Sequence, residues 1–119
     1  VRTYYGELTR AAQTLRTEEL KKLTSQGCPC AGSAKSIDRT RAKNRQIPQA
    51  KWRVQRVAVH DVIAKSAGAQ VWYTVTAYEV LDSNGRVLDR LPKRVKHVDL
   101  SLLNTSQGWI LANVFDLGA

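Results

Sequence analysis

The 119-residue chain contains no methionine, one phenylalanine, three prolines and two cysteines. Two cysteines are too few for a disulfide scaffold, and a chain of this length can bury a core without one. No apolar run exceeds a few residues. That excludes a membrane-spanning helix, which needs about 20 apolar residues. The start shows neither an initiator Met nor a basic-then-apolar leader. Val1 therefore reads as the first residue of a processed chain or of a cut piece, with any targeting segment removed. Hydrophobic residues make up 43%, too many for a disordered chain. Basic residues are missing from one stretch: from Val98 onward there is no Lys, Arg or His.

Elsewhere they are in excess. Nineteen Lys and Arg oppose ten Asp and Glu, a formal charge of +9. Lys35, Arg39, Arg41, Lys43, Arg45, Lys51, Arg53 and Arg56 surround a single acid, Asp38. A second cluster, Arg86, Arg90, Lys93, Arg94 and Lys96, faces only Asp89. A field of this kind attracts anionic partners such as acidic lipid, wall polymer, nucleic acid or an acidic protein face, and it also keeps a protein soluble.

Periodicity divides the chain in two. Val1, Tyr4, Tyr5, Leu8, Ala12 and Leu15 recur at helical spacing, which predicts a helix over residues 1–16. Thr17 with Glu18 and Glu19 predicts a capped second helix through Leu20 and Leu23, stopped at Gly27. Ser33 caps a third helix reaching about Gln46, closed by Pro48, with Ala34 and Ile37 inward. After Pro48 the period changes to two. Strands are expected over 51–63, 71–81, 86–103 and 109–117, with a bulge near Arg56 and a break or edge at Pro92. The turns expected between them are Ser66-Ala67-Gly68, Asp82-Ser83-Asn84-Gly85 as a type I′ hairpin, and Asn104 to Gly108. Connections this short forbid parallel crossovers, so the four strands form an antiparallel meander in sequence order, packed on the first helix. Leu8, Leu15, Leu20, Leu23, Ile37, Val75 and Trp109 are expected in its core. No internal linker appears, so residues 1–119 are expected to be one α+β domain.

This order of elements resembles the NTF2-like (cystatin-like) superfamily, in which N-terminal helices pack on a strongly curved sheet to form a cone. Three stretches are similar to extracytoplasmic NTF2-like domains of actinobacterial lipoproteins and envelope proteins. They are Val1-Arg2-Thr3-Tyr4-Tyr5-Gly6-Glu7-Leu8, Thr14 to Leu23, and Gly27-Cys28-Pro29-Cys30. The resemblance covers nearly the whole chain. It implies the fold; this superfold hosts enzymes, transport factors and assembly domains alike.

Cys28 and Cys30 admit three readings: a disulfide across one residue, two free thiols, or half of a metal site. His60 and His97 stand at no ligand spacing to the pair, and no metal or cofactor is expected. A third helix beginning after the pair would favour a thiolate, but no thioredoxin-type βαβ context surrounds it. The exported compartment implied by the resemblance favours the disulfide.

An active site in such a cone would need a base and a hydrogen-bond donor facing one pocket. The polar groups available are Tyr4, Tyr5, Tyr73, His97 and Asp99, with Asp38, His60, Asp61 and Tyr78 beside them. His97 and Asp99 alternate onto one strand face. No motif fixes any pair, and tyrosines at core edges and surface aspartates explain the same residues. The sequence accordingly reads as a non-enzymatic binding or assembly module outside the cytoplasmic membrane, secreted or held by a removed N-terminal anchor. Its partner would be an anionic envelope component or a protein, met by Lys35, Arg39, Lys43, Arg45, Lys51 and Arg53, and its sheet could pair with a second copy. A small isomerase- or hydrolase-like enzyme is the alternative. Nucleic-acid binding is a further one, led by Lys51-Trp52-Arg53, yet the aromatic strand 71–81 carries no Lys or Arg and no nucleic-acid motif is present.

Overall fold

The structure, a computed structural model, describes residues 1–118. Ala119, the last residue of the expected domain, lies outside them. Three helices lead: α1 (Arg2–Thr14), α2 (Glu18–Lys21) and α3 (Ala31–Ala42). Six strands follow: β1 (Trp52–His60), β2 (Ser66–Val75), β3 (Tyr78–Leu81), β4 (Val87–Leu91), β5 (Arg94–Thr105) and β6 (Gly108–Gly118). β1, β2, β5 and β6 make one antiparallel sheet in that spatial order, and β3 pairs with β4.

The expected meander is present with its two middle strands broken at the same level. The expected strand 71–81 divides at Thr76 and Ala77, and 86–103 divides at Pro92 and Lys93. Pro92 has no N–H for a ladder. Opposite it, the Thr76 N–H donates to the Lys51 carbonyl at 2.9 Å and its hydroxyl to the Gln49 carbonyl at 3.0 Å. Thr76 thus grips the entry to β1 instead of extending its own strand. Beyond the break, β3 and β4 form an arm whose Leu81 exchanges two 2.8 Å backbone bonds with Gln46. At its tip only Gly85 takes a positive φ, 81°, so the turn is not the expected type I′. The Asp82 carboxylate accepts the N–H groups of Asn84 and Arg86, each at 2.9 Å, and holds a longer loop.

β1 carries the expected bulge, between Val54 and Arg56, but it ends at His60. The chain reverses over residues 61–65, with Asp61 at φ 49°, and Ser66 to Gly68 are already paired in β2. Val62 and Ile63 are therefore exposed at a loop tip rather than held in a strand.

Tyr4, Tyr5, Leu8, Ala11 and Ala12 form the buried stripe of α1. Leu15 ends the helix at φ 62°, donating its N–H to the Ala11 carbonyl. α2 is a single turn, shorter than expected. Thr17 does precede it, but its hydroxyl donates to Asp38 Oδ1 at 2.7 Å instead of capping. Lys21 Nζ reaches the other oxygen of Asp38 at 2.8 Å, so one carboxylate fastens α2 to α3. The Lys21 ammonium and the Thr17 hydroxyl hold the Asp38 carboxyl below its ordinary pKa. The next segment bridges to β6 through Ser25 N–H to the Leu111 carbonyl, 2.7 Å. α3 ends before the expected Gln46 because Asn44 turns to φ 56°.

The core lies between the helices and the concave face of the sheet. Leu8, Leu20, Ile37 and Val75 are buried as expected, whereas Leu15 and Leu23 are half-buried at its edge. Trp109 is the clear departure, 44% exposed. It has the side-chain parity of buried Leu111 but sits beside the β5–β6 turn, opposite exposed Asn104.

Candidate ligand cleft

Side-chain alternation decides what the concave face offers. Val54, Val57, Val71, Tyr73, Val98, Leu100 and Leu111 all pack into or against the core. Along the helices lie two neighbouring hollows that share Leu8, Ser33 and Trp52 as walls. The outer one is about 400 Å³ and reaches Ile37, Tyr78, Leu91 and Arg94. The inner one is about 250 Å³ and reaches Tyr4, Tyr5, Tyr73 and Asp116. The outer one alone is of the size that small ligands occupy. The backbone at Trp52 is held to α1, its main-chain N–H donating to Thr9 Oγ1 at 2.9 Å.

Three of the expected pocket tyrosines meet here. Tyr4 and Tyr5 contact edge to face at 5.1 Å, and Tyr5 lies 4.7 Å from Tyr73 between ring centroids. Burial raises the pKa of all three, and for Tyr73 the nearby Arg94 charge works in the opposite direction. They are neutral hydroxyls at physiological pH, able to donate and accept but not to act as bases. Among the described residues lining the two hollows there is no histidine. Their one carboxylate, Asp116, is exposed, accepts the Gly118 N–H at 2.8 Å and pairs with Lys96 at 3.3 Å.

The other two expected pocket groups do not join them. His97 and Asp99 alternate with buried Val98 and Leu100 and therefore stand on the outer face of the sheet. They do not pair with each other. His97 stacks on Trp72 at 4.2 Å and hydrogen-bonds Gln70 at 2.9 Å, and the Arg56 guanidinium lies over the Trp72 ring at 4.7 Å from its centroid. Asp99 instead contacts His60 Nε2 at 2.8 Å, while Asp61 takes His60 Nδ1 at 2.8 Å. Hydrogen bonds to these carboxylates, Asp61 first, raise the His60 pKa. A β1 histidine is thus the partner of Asp99, a pairing that depends on register and not on sequence spacing.

Of the basic residues singled out, Lys35, Arg39, Lys43, Arg45, Lys51 and Arg53 are all exposed. Lys35 and Arg39 lie on α3 and Lys43 ends it, at i, i+4 spacing. Arg53 departs from that group: it lies between inward-facing Trp52 and Val54, so it points to the outer face of the sheet. Cys28 and Cys30 are buried in the loop before α3, their Cα atoms 5.1 Å apart and their sulfurs within bonding distance. Beside that loop runs a wider groove of about 720 Å³ between Lys21 and Lys35. Its Lys21 is already occupied by Asp38, and it lacks the aromatic walls of the cleft. Sequence reasoning missed Arg94 as a cleft residue. Its signal was the alternation Arg94, Lys96, Val98, Leu100, legible once Pro92 is taken as a strand break.

No protein-family model matches the sequence, and no curated protein does. Solved structures do. An uncharacterised protein with a cystatin-like fold from Caulobacter vibrioides superposes with a TM-score of 0.63 at 12% identity, covering 99% of this chain and 86% of that one. An NTF2-like protein with a cystatin-like fold from Novosphingobium aromaticivorans gives 0.59 at 16% identity, over 97% and 77%. This chain has the NTF2-like, cystatin-like fold. The intermembrane space region of the chloroplast protein ARC6 is similar to it as well, with a TM-score of 0.72 at 11% identity over 98% of this chain and 89% of that one. At such identities the likeness is one of NTF2-like architecture, and the cleft described above is the space enclosed by that architecture in this chain.

Proposed function

We propose that this NTF2-like domain is a non-catalytic binding or assembly module working outside the cytoplasmic membrane, of the kind found in actinobacterial lipoproteins and envelope proteins. The cleft carries this reading. It is an aromatic and aliphatic hollow with neutral hydroxyls, and the histidines and Asp99 that could support acid–base chemistry lie across the sheet from it. The adjacent cysteines suit an oxidising compartment. The fold shared with an intermembrane-space region agrees with a place outside the cytoplasm. The exposed basic face of α3 supplies the contact with an anionic envelope component.

The outer face of the sheet would serve self-association, since Val95 and Phe115 are 54% and 53% exposed there beside the Trp72–His97 stack. Sedimentation of Phe115→Lys beside the parent tests that arm of the reading. The reading as a whole is tested by incubating the domain with small-molecule extracts of the envelope and recovering what it retains. Binding without chemical change is expected; steady conversion of a retained molecule would replace the module with an enzyme.

A further inference from the structure

The charges lining the cleft do not balance. Strand β5 presents Arg94 and Lys96 on the same side as buried Val98 and Leu100, opposite Val75 and Tyr73 of β2. Two cations therefore border a largely apolar concave face. Asp116, opposite Val98 on β6, is the carboxylate on this side, and it pairs with Lys96. Arg94 has no carboxylate partner among the described residues, yet it forms a wall of the outer hollow with Trp52, Tyr78, Leu8 and Ile37. Its charge reaches far enough inward to act on Tyr73.

We infer that the cleft takes an amphipathic organic anion, with an aromatic or branched apolar body and one carboxylate or sulfonate head. The inference rests on the binding reading of the cleft and gives that reading a ligand class. The body fills the hollow along Leu8, Ile37, Trp52 and Tyr78, where removal of apolar surface from water drives association. The head meets the Arg94 guanidinium, whose planar fork matches a two-oxygen acceptor. Ser33, Ser36 and Thr40 on the α3 wall supply hydroxyls along its length. Tyr5, only 4% exposed, lines the inner hollow beside Tyr4 and Tyr73. Among the described residues lining this hollow Arg94 is the only cation, so a singly charged head fits better than a diphosphate.

Two dyes with similar bodies separate the parts of this inference. 1-Anilinonaphthalene-8-sulfonate carries the anionic head, and N-phenyl-1-naphthylamine lacks it. Both should bind the parent domain, followed by fluorescence. Arg94→Gln should weaken the sulfonate about tenfold or more, the loss expected for a charge-assisted pair, and leave the neutral dye unchanged. Lys65→Gln, in the exposed loop between β1 and β2, should change neither. Equal sulfonate affinity in the parent and Arg94→Gln, or equal weakening of both dyes, would overturn the assignment of the head while leaving the cleft as a binding site. Failure of both dyes to bind the parent would remove the cleft reading and this inference together.

Discussion

The imidazole of His60 lies flat over Gly68, its cross-strand partner, where a β-carbon would overlap the ring. That bare Cα lets the ring settle between Asp61 and Asp99, each 2.8 Å from one nitrogen. Gly68→Ala should therefore push the ring aside and return its pKa toward the ordinary 6.5, as followed by NMR titration. The folded value is raised, so protonated His60 contributes stability that is fully present below the unfolded pKa. It is lost as pH rises through the folded one. The melting-temperature gap between parent and Gly68→Ala should thus be wider near about pH 5.5 than near about pH 8.5. A gap that stays constant across that range would mean the two carboxylates do not hold the ring in solution.

Leu8 and Leu20, 3% and 1% exposed, anchor α1 and α2 against the core. Truncating either to Ala should cost about 2–5 kcal/mol through lost transfer energy and a residual cavity. Trp109→Ala should cost less than either despite removing a larger side chain, because that ring is 44% exposed. Urea denaturation of the three variants ranks them, and Trp109→Ala emerging as the most damaging would contradict its placement.

Cys28 and Cys30 have no other cysteine to pair with within the chain. Intact-mass measurement of the non-reduced protein purified from an oxidising compartment should show a deficit of two hydrogens, with neither thiol alkylated before reduction. Two alkylatable thiols would argue against both the bond and the exported setting.

Lys35, Arg39 and Lys43 stand exposed at i, i+4 spacing, and none of the three pairs with a carboxylate among the described residues. The parent domain should bind vesicles containing anionic lipid. That binding should fade as salt shortens the Debye length below about 8 Å. Replacing all three residues by Glu should abolish it while the melting temperature stays near the parent's, since exposed substitutions of this kind perturb folding little. Undiminished vesicle binding by the triple variant would reduce the face to a solubilising surface.

The sequence was most informative where one local rule decided the outcome. Alternation from Val71 to Val75 placed the central strand, helical spacing from Tyr4 to Ala12 placed the buried stripe of α1, and the bulge near Arg56 followed from a switch of apolar face. Legibility failed wherever two distant segments had to be in register. Nothing near Thr76 shows that its hydroxyl will hold the Gln49 carbonyl, so the break opposite Pro92 went unread. Ser66-Ala67-Gly68 has the composition of a turn, and only the ring of His60 explains a glycine at position 68 of a strand. His97 and Asp99 share a strand face as expected, but which face depends on Val98 and Leu100 meeting the helices. The three tyrosines did converge on one cleft, whereas Arg94 was hidden inside a general excess of positive charge.

The arm formed by β3 and β4 offers a practical handle. Its base supplies Tyr78, Val80 and Leu91 to the wall of the cleft, while its tip from Ser83 to Arg86 is exposed. Exposed polar loop tips accept insertions and labels with little disturbance of the fold. A fluorophore attached through Ser83→Cys would stand clear of the bound molecule yet ride on the element that forms part of its walls. Filling the cleft would then be reported as a change in the mobility of the arm, read by anisotropy.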